Sequence, residues 1–553
     1  MNSDRFTVEL GGCSPQPLGA YLKALGALRI VAEQADPSAE GYWQDDVFFI
    51  RSSLDEAALV ELLVNKYRPT SVMAPWNGGS GFYPKDNSVA IDWIRKSESD
   101  RLAPYREAIR RADRIVTEWG DKPSKNQKEE FLQECRAKLP DETLDWLDAA
   151  FVLGTETPRY PPLLGTGGND GRLEFTNNFM QRLMDVIDSD GRPSPESHSW
   201  LRSSLFGDLA PGQLRGQPIG QFNPSGAGGP NSSSAFEGES LVNPWDYILM
   251  IEGSLLFACG IVKKGEANLN GELSYPFSVR ASGAGYGTAS KNEERSARAE
   301  LWVPLWSAPA GYRVLRSLFS EGRSNVERRR ARDGTDFVRA VATLGVDRGI
   351  DSFQRFGFLE RNGRAFFAVP LGRFMVRRNP QADLLASIDG WLTRFKSRAE
   401  EKETPASVRR VVANLDNAII RLCTEESAHS VQSMLITLGD CERTLGVSSK
   451  WTKDNHIPPI PPLKKDWFLR GNDGSSEYRI AASVALLSRS FVHDGATTNI
   501  PIRSMVEPVI ITRRNRYTDV KWSDEGRSPI IGDDAVKLFN ELMSNSIKEH
   551  LKQ

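Results

Sequence analysis

Side chains able to carry metal or nucleophile chemistry are few in this 553-residue chain, and they are scattered. The histidines are His198, His429, His456, His493 and His550, and no two stand at a helical spacing that would grip one ion. His493-Asp494 matches the dipeptide of phosphohydrolase metal sites. Such a site needs further His and Asp ligands at defined positions, which the neighbouring sequence does not supply. The plainer reading is a histidine at a helix end beside the turn Asp494-Gly495. There is no GxSxG elbow and no visible Cys-His pairing. Scattered carboxylates cannot be paired from sequence, so a metal-dependent nuclease stands as an alternative, although no motif favours it. No metal and no cofactor are called for.

Glycine-rich loops offer a different chemistry. Three occur: Asn77-Gly-Gly-Ser-Gly81, Gly165-Thr-Gly-Gly-Asn-Asp-Gly-Arg172 and Gly283-Ala-Gly-Tyr-Gly-Thr288. Without side chains in the way, backbone N–H groups can approach an anion or the floor of a groove. None matches GxxxxGK[ST], which disfavours an ATP-binding loop. A glycine-flanked amide can enter a narrow groove and read base acceptors, so Asn77 and Asn169 are candidates for base edges, with Arg172 beside them. Each loop taken alone could equally be a tight turn.

Charge distribution gives the sharper signal. Between Arg313 and Arg378 fifteen arginines face seven acids with no lysine, a local charge of +8. Arg323, Arg328, Arg329, Arg330 and Arg332 cluster inside this stretch, and Arg361 and Arg364 flank an Asn-Gly dipeptide. The planar guanidinium fork binds phosphate oxygens in pairs and stacks on bases. These arginines are therefore candidate phosphate contacts, against a solvated helix face as the bland alternative. Phe353, Phe356 and Phe358 could serve as stacking platforms, although core packing suits most of them better.

The elements that must position these groups read as an α+β chain. Phe6, Val8 and Leu10 alternate as in a strand that Gly11-Gly12 ends, and Pro17 opens a helix with Leu18, Leu22, Leu25 and Leu28 on one face. Ser53-Leu54-Asp55-Glu56 has the capping-box pattern of a second helix. Three charged helical stretches run from about Glu98 to Phe151, and a glycine-, proline- and serine-rich stretch over 189–243 reads as a long loop. Trp245 to Val262 reads as a buried helix, Ser290 to Leu301 as a helix after the third glycine loop, and Asn362-Gly363 as the tip of a hairpin. From about Gln381 helical periodicity dominates, with Val408, Val411, Leu415, Ile419 and Leu422 in one stripe. The connector Ile457-Pro-Pro-Ile-Pro-Pro462 divides that part. The expected domains are an α+β N-terminal domain with a helical extension (1–153), a glycine-loop-rich central domain (154–300), an arginine-rich segment with a hairpin (301–380) and a mainly helical C-terminal domain (381–553).

Bulk properties narrow the class. The length calls for roughly three to four domains. A formal charge of −2 does not suit a free-standing, strongly basic DNA-binding protein. In the first 60 residues nine acids outweigh four bases, so that part is not expected to face DNA. Cys13, Cys135, Cys259, Cys423 and Cys441 lie far apart with no CxxC, which argues against a disulfide framework and a zinc ribbon and for a reducing cytoplasm. The first residues lack a signal-peptide pattern, and no stretch reads as a membrane span.

Several longer segments resemble the large subunit of type I-G (formerly I-U) CRISPR effector complexes. They are Gly11-Gly-Cys-Ser-Pro-Gln-Pro-Leu-Gly-Ala-Tyr-Leu-Lys-Ala-Leu-Gly-Ala-Leu-Arg29, Ala74-Pro-Trp-Asn-Gly-Gly-Ser-Gly-Phe82, Arg159-Tyr-Pro-Pro-Leu-Leu-Gly-Thr-Gly-Gly-Asn-Asp-Gly-Arg172, Phe175-Thr-Asn-Asn-Phe179, Ala340-Val-Ala-Thr-Leu-Gly-Val-Asp-Arg-Gly349 and Glu507-Pro508. The resemblance implies a non-catalytic subunit of a surveillance ribonucleoprotein. Such subunits sit on the crRNA-bound backbone, contact the protospacer-adjacent motif of target double-stranded DNA, help to separate its strands and present the complex to a helicase-nuclease. A pure protein or crRNA scaffold is the third reading of the arginine-rich region. Family members tend to run on past the position of Gln553, so the resemblance does not carry small-subunit-like C-terminal contacts over to this chain.

Overall fold

The computed structural model describes residues 5–153, 158–170, 173–209, 215–216, 221–224, 241–258, 260–262, 272–280, 299–320, 325–326, 329–344, 349–361, 365–401, 403–493, 496–514, 517–523 and 537. The chain divides into two units. One comprises Met1–Ala281, Thr288–Gly334 and Val346–Val376; the other comprises Ser282–Gly287, Thr335–Gly345 and Arg377–Gln553. The fold is α+β, with antiparallel sheets in the N-terminal and central parts and a mostly helical stretch over 406–485. Among the described residues no helix is long and apolar enough to cross a membrane.

In the first unit, strands β1 (Phe6–Leu10), β2 (Glu40–Gln44) and β3 (Val47–Ser52) form an antiparallel sheet in the order β1-β3-β2, extended by Ala310–Gly311. Val8 and Leu10 point inward as their alternation requires. The helices of this unit's N-terminal part are α1 (Leu18–Gln34), α2 (Glu56–Glu61), α3 (Val89–Lys96), α4 (Ala103–Trp119), α5 (Lys128–Lys138), α6 (Leu144–Ala150), α7 (Phe175–Val186), α8 (Ser197–Phe206) and α9 (Pro244–Ser254). Helices α4, α5 and α6 occupy the three charged stretches.

Helix α1 is buried on nearly all sides. One side meets the sheet, where Tyr21 stacks on Trp43 with ring centres 5.4 Å apart. Another is crossed by α9 so closely that a β-carbon on Gly26 would lie 1.9 Å from the Leu249 carbonyl oxygen. One on Gly253 would lie 1.8 Å from that of Leu22. Two glycines at the crossing let the backbones touch, which explains an apolar helix interrupted by glycine.

Three local expectations change. Helix α2 is capped by Asp55, whose carboxylate accepts from the Ala58 N–H at 2.8 Å, and not by Ser53. Ser53 instead closes the end of β3, its N–H donating to Asp36 at 2.7 Å. The stretch 189–243 contains α8, whose Trp200, Leu201 and Leu205 recur at helical spacing and are buried; averaged composition hid them. The buried helix expected from Trp245 to Val262 is α9, which gives way to a 3₁₀ turn at Leu255–Phe257 and a strand at Gly260–Val262.

A second antiparallel sheet in this unit pairs Ser278–Val279, Glu300–Leu305, Ser352–Arg361 and Ala365–Met375 in that order. Glu300 and Leu301 thus belong to a strand and Ala299 is not helical, while residues 290–298 of the expected helix lie outside the described residues. The two strands expected on either side of Asn362-Gly363 pair, with Arg361 opposite Ala365, and the dipeptide itself lies outside the described residues. Phe353, Phe356 and Phe358 are buried core residues.

In the second unit the stripe Val408, Val411, Leu415, Ile419 and Leu422 is the buried face of the helix Ala406–Thr424, which packs on Ala428–Val447. The proline connector is docked: Ile457 and Ile460 are buried, and the Trp391 indole donates to the Pro458 carbonyl at 3.0 Å. Among the described residues beyond Ala485 two hairpins stand, Ser488–His493 with Ala496–Pro501 and Val509–Arg514 with Tyr517–Trp522, with a short helix at Arg503–Val506 between them. His493 therefore ends a strand and not a helix. Asp494-Gly495, between two runs containing β-branched residues, is a hairpin signal that helical periodicity upstream masked.

Candidate nucleic-acid interface

The first two glycine loops are one structure. The Trp76 indole donates to the Gly167 carbonyl oxygen at 2.8 Å, and the Asn77 amide donates to the same oxygen at 3.0 Å. Gly167 (φ 79°) and Gly168 (φ 100°) adopt backbone angles that glycine takes freely, and a β-carbon on Gly167 would press on the Trp76 nitrogen at 3.1 Å. Asn177, at the start of α7, donates to the carbonyls of Gly79 and Asn87, both at 2.9 Å. Thus three segments of the quoted resemblance, around Asn77, Gly167 and Asn177, brace one another.

The N–H groups of the first loop already hold an anion. Asp86 accepts from the N–H of Gly79 at 2.7 Å, of Gly81 at 3.0 Å and of Tyr83 at 3.3 Å. An internal carboxylate therefore fills the place an external phosphate would take in a backbone nest. Glu174 lies beneath, accepting from the Thr176 hydroxyl at 2.7 Å and from the Asn177 N–H. Burial pushes its carboxyl up to about 8, against the pull of those donors.

Asn77 does not sit where the sequence reading aimed it. Its side chain is buried (4% exposed); the amide nitrogen is committed to Gly167, and its oxygen accepts from the Lys128 ammonium at 2.9 Å. A side chain with donor and acceptor both engaged inside the fold braces the loop and does not reach a base edge. Asn169 differs: it is partly exposed, its carbonyl accepts from the Thr166 N–H at 2.7 Å, and among the described residues its side-chain amide has no hydrogen-bond partner.

Lys128 and Lys122 are what the sequence reading missed. The Lys128 ammonium also lies 5.6 Å from the centre of the Tyr160 ring. That of Lys122 stands over Gly78, 3.1 Å from where a β-carbon would be. Burial first, then the neighbouring Lys122 charge, pushes Lys128 down to about 8. The sequence signal was faint, two lysines in an otherwise mixed-charge segment.

The arginine-rich region separates into two kinds of residue. Among the described residues five are held by acids, one of them Arg378, which meets Asp383 at 3.4 Å. Arg355 grips Glu300 with two hydrogen bonds of 2.9 and 2.7 Å, both side chains being buried. Arg316 meets Asp145 at 2.6 Å, Arg373 meets Asp46 at 2.6 Å, and Arg339 meets Asp389 at 2.6 Å. Arg355 and Arg339 are buried and structural, whereas the pairs of Arg316 and Arg373 lie at the surface. Among the candidates, Arg329 and Arg330 form a short strand opposite Val326 and Asn325, and Arg361 ends its own strand. Arg332 is half-buried, and its carbonyl accepts from the Arg280 N–H at 2.9 Å, which sets two arginines side by side. Arg172, Arg323, Arg328 and Arg364, like the loop at 283–288, lie outside the described residues.

Among the described residues no group of three or more His, Cys, Asp or Glu is close enough to hold a metal ion. The thiols of Cys13 and Cys423 are buried, and burial pushes each up to about 12, far from a reactive thiolate. No protein-family model matches the chain, and no curated protein matches it.

Proposed function

We propose that this chain is the non-catalytic large subunit of a type I CRISPR surveillance ribonucleoprotein of the I-G kind, acting in the cytoplasm in antiviral defence. In this reading it binds target double-stranded DNA beside crRNA-bound backbone subunits, takes part in motif recognition and strand separation, and helps to recruit the helicase-nuclease. The observation that carries the reading is the meeting of segments far apart in the chain, around Asn77, Gly167 and Asn177, each of which bears the resemblance. Their junction carries a partly exposed amide, Asn169, and two lysines, which is chemistry suited to a nucleic-acid groove.

The test is reconstitution. The chain is combined with the backbone subunits and crRNA, and binding of motif-bearing and motif-free duplexes is compared. Asn169→Ala should weaken the motif-bearing duplex more than the motif-free one, and equal losses would remove this loop from motif reading. His493→Ala, in a normally assembled complex, should leave target DNA cleavage intact. Loss of cleavage there would favour the metal-dependent nuclease, and failure of arginine variants to assemble would favour the scaffold.

A further inference from the structure

Lys128 is the first residue of α5, where the helix dipole disfavours a cation and favours an anion. Its ammonium is nevertheless half-buried there, held by the neutral oxygen of Asn77 and the face of Tyr160. Lys122 brings a second ammonium over Gly78. Among the described residues neither lysine forms an ion pair with a carboxylate, although acids are abundant nearby in sequence. Asp86 accepts from the N–H groups of Gly79, Gly81 and Tyr83, and Glu174, which packs against Gly79, accepts from Thr176 and Asn177. Two like charges are thus gathered over a floor without side chains, at Gly78-Gly79, with no counter-charge of their own among the described residues. Buried or half-buried charges are ordinarily paired. The group this arrangement lacks is an anion with several oxygens, able to accept from both ammoniums at once.

We propose that Lys122 and Lys128 together clamp one phosphate group of duplex DNA over Gly78, with Asn77 holding the Lys128 ammonium in place. The identity of the phosphate's source rests on the functional reading above; the clamp itself rests on the two lysines. Inorganic phosphate shares the chemistry and serves as a competitor.

The test uses the full chain and a short fluorescein-labelled duplex at low ionic strength, read by fluorescence anisotropy. Lys122→Ala, at an exposed position where folding is not at stake, should weaken duplex binding about tenfold, the worth of a charge-assisted contact. Lys128→Met should do the same, and Lys128→Arg should restore binding. Inorganic phosphate should compete with the duplex on the native chain and lose that effect in Lys122→Ala. Raising the pH through 8 should weaken the native chain and spare Lys128→Arg, because the arginine stays charged. Tyr160 is held up at about 12 by burial, and Glu174, whose carboxyl burial pushes up to about 8 against Gly79 of the same loop, is kept in Lys128→Arg, so a fall that persists in that variant belongs to Glu174 and not to Lys128. Unchanged duplex binding in Lys122→Ala and in a variant combining Lys122→Ala with Lys128→Met overturns the proposal. Phosphate binding that depends on both lysines while duplex binding does not overturns DNA as the source. A reconstituted complex that ignores target DNA, although the lysines still bind phosphate, overturns the functional reading and leaves the clamp standing.

Discussion

The side-chain amide of Asn77 and the carbonyl oxygen of Gly167 are hydrogen-bonded at 3.0 Å although 90 positions separate them in the chain. Removing that amide leaves a buried carbonyl with one donor fewer and the Lys128 ammonium without its oxygen. Asn77→Ala should therefore cost about 1–3 kcal/mol of stability in urea unfolding. Any loss of DNA binding should fall equally on motif-bearing and motif-free duplexes. Selective loss on the motif-bearing duplex, at unchanged stability, would return Asn77 to base reading.

Gly26→Ala and Gly253→Ala test the crossing of α1 and α9. Each added β-carbon would overlap a backbone carbonyl, at 1.9 and 1.8 Å, and backbone cannot swing aside as a flexible side chain can. The expected cost is about 3 kcal/mol, seen as a lowered melting temperature or insoluble expression. Either variant melting with the native chain would mean that the helices cross elsewhere.

Stability should fall as the medium becomes more alkaline because of Glu174. Its carboxyl titrates near 8 in the fold against 4.5 ordinarily, so the folded state holds the proton more tightly. The contribution is complete below about pH 4.5 and is lost as pH rises towards 8. Glu174→Gln keeps the shape without the charge and should flatten the fall of the urea midpoint over that interval. An equally steep fall in the variant would assign it to another group.

Arginines of one stretch should behave in two ways. Arg355→Met strands the buried Glu300 carboxylate and should cost about 3–5 kcal/mol in stability. Replacing Arg328, Arg329 and Arg330 by Ala should leave stability nearly unchanged. In an assembled complex it should reduce the slope of log affinity against log salt by about 0.9 for each DNA phosphate that is no longer neutralised, with motif preference intact. Normal assembly with an unaltered slope would make that cluster a solvated surface.

Local pattern determined much of this protein. The alternation of Val8 and Leu10, the stripe from Val408 to Leu422 and the Asn362-Gly363 hairpin were legible because strand and helix periods, and turn chemistry, are properties of neighbouring residues. Glycine loops and an arginine excess were legible as composition. Composition does not say which charge has a partner, and that was decided by packing. Arg355 and Arg316 reach Glu300 and Asp145 across 55 and 171 positions, and the charge of buried Arg355 is absorbed. Asn77 was drawn inward because Gly167 has no β-carbon to keep the two loops apart. Lys122 and Lys128 looked ordinary in the sequence. They became a site only when the fold carried them to a glycine floor whose neighbouring carboxylate, Asp86, is engaged by the backbone N–H groups. Coulomb energy and desolvation depend on distances in space, and sequence separation does not contain them.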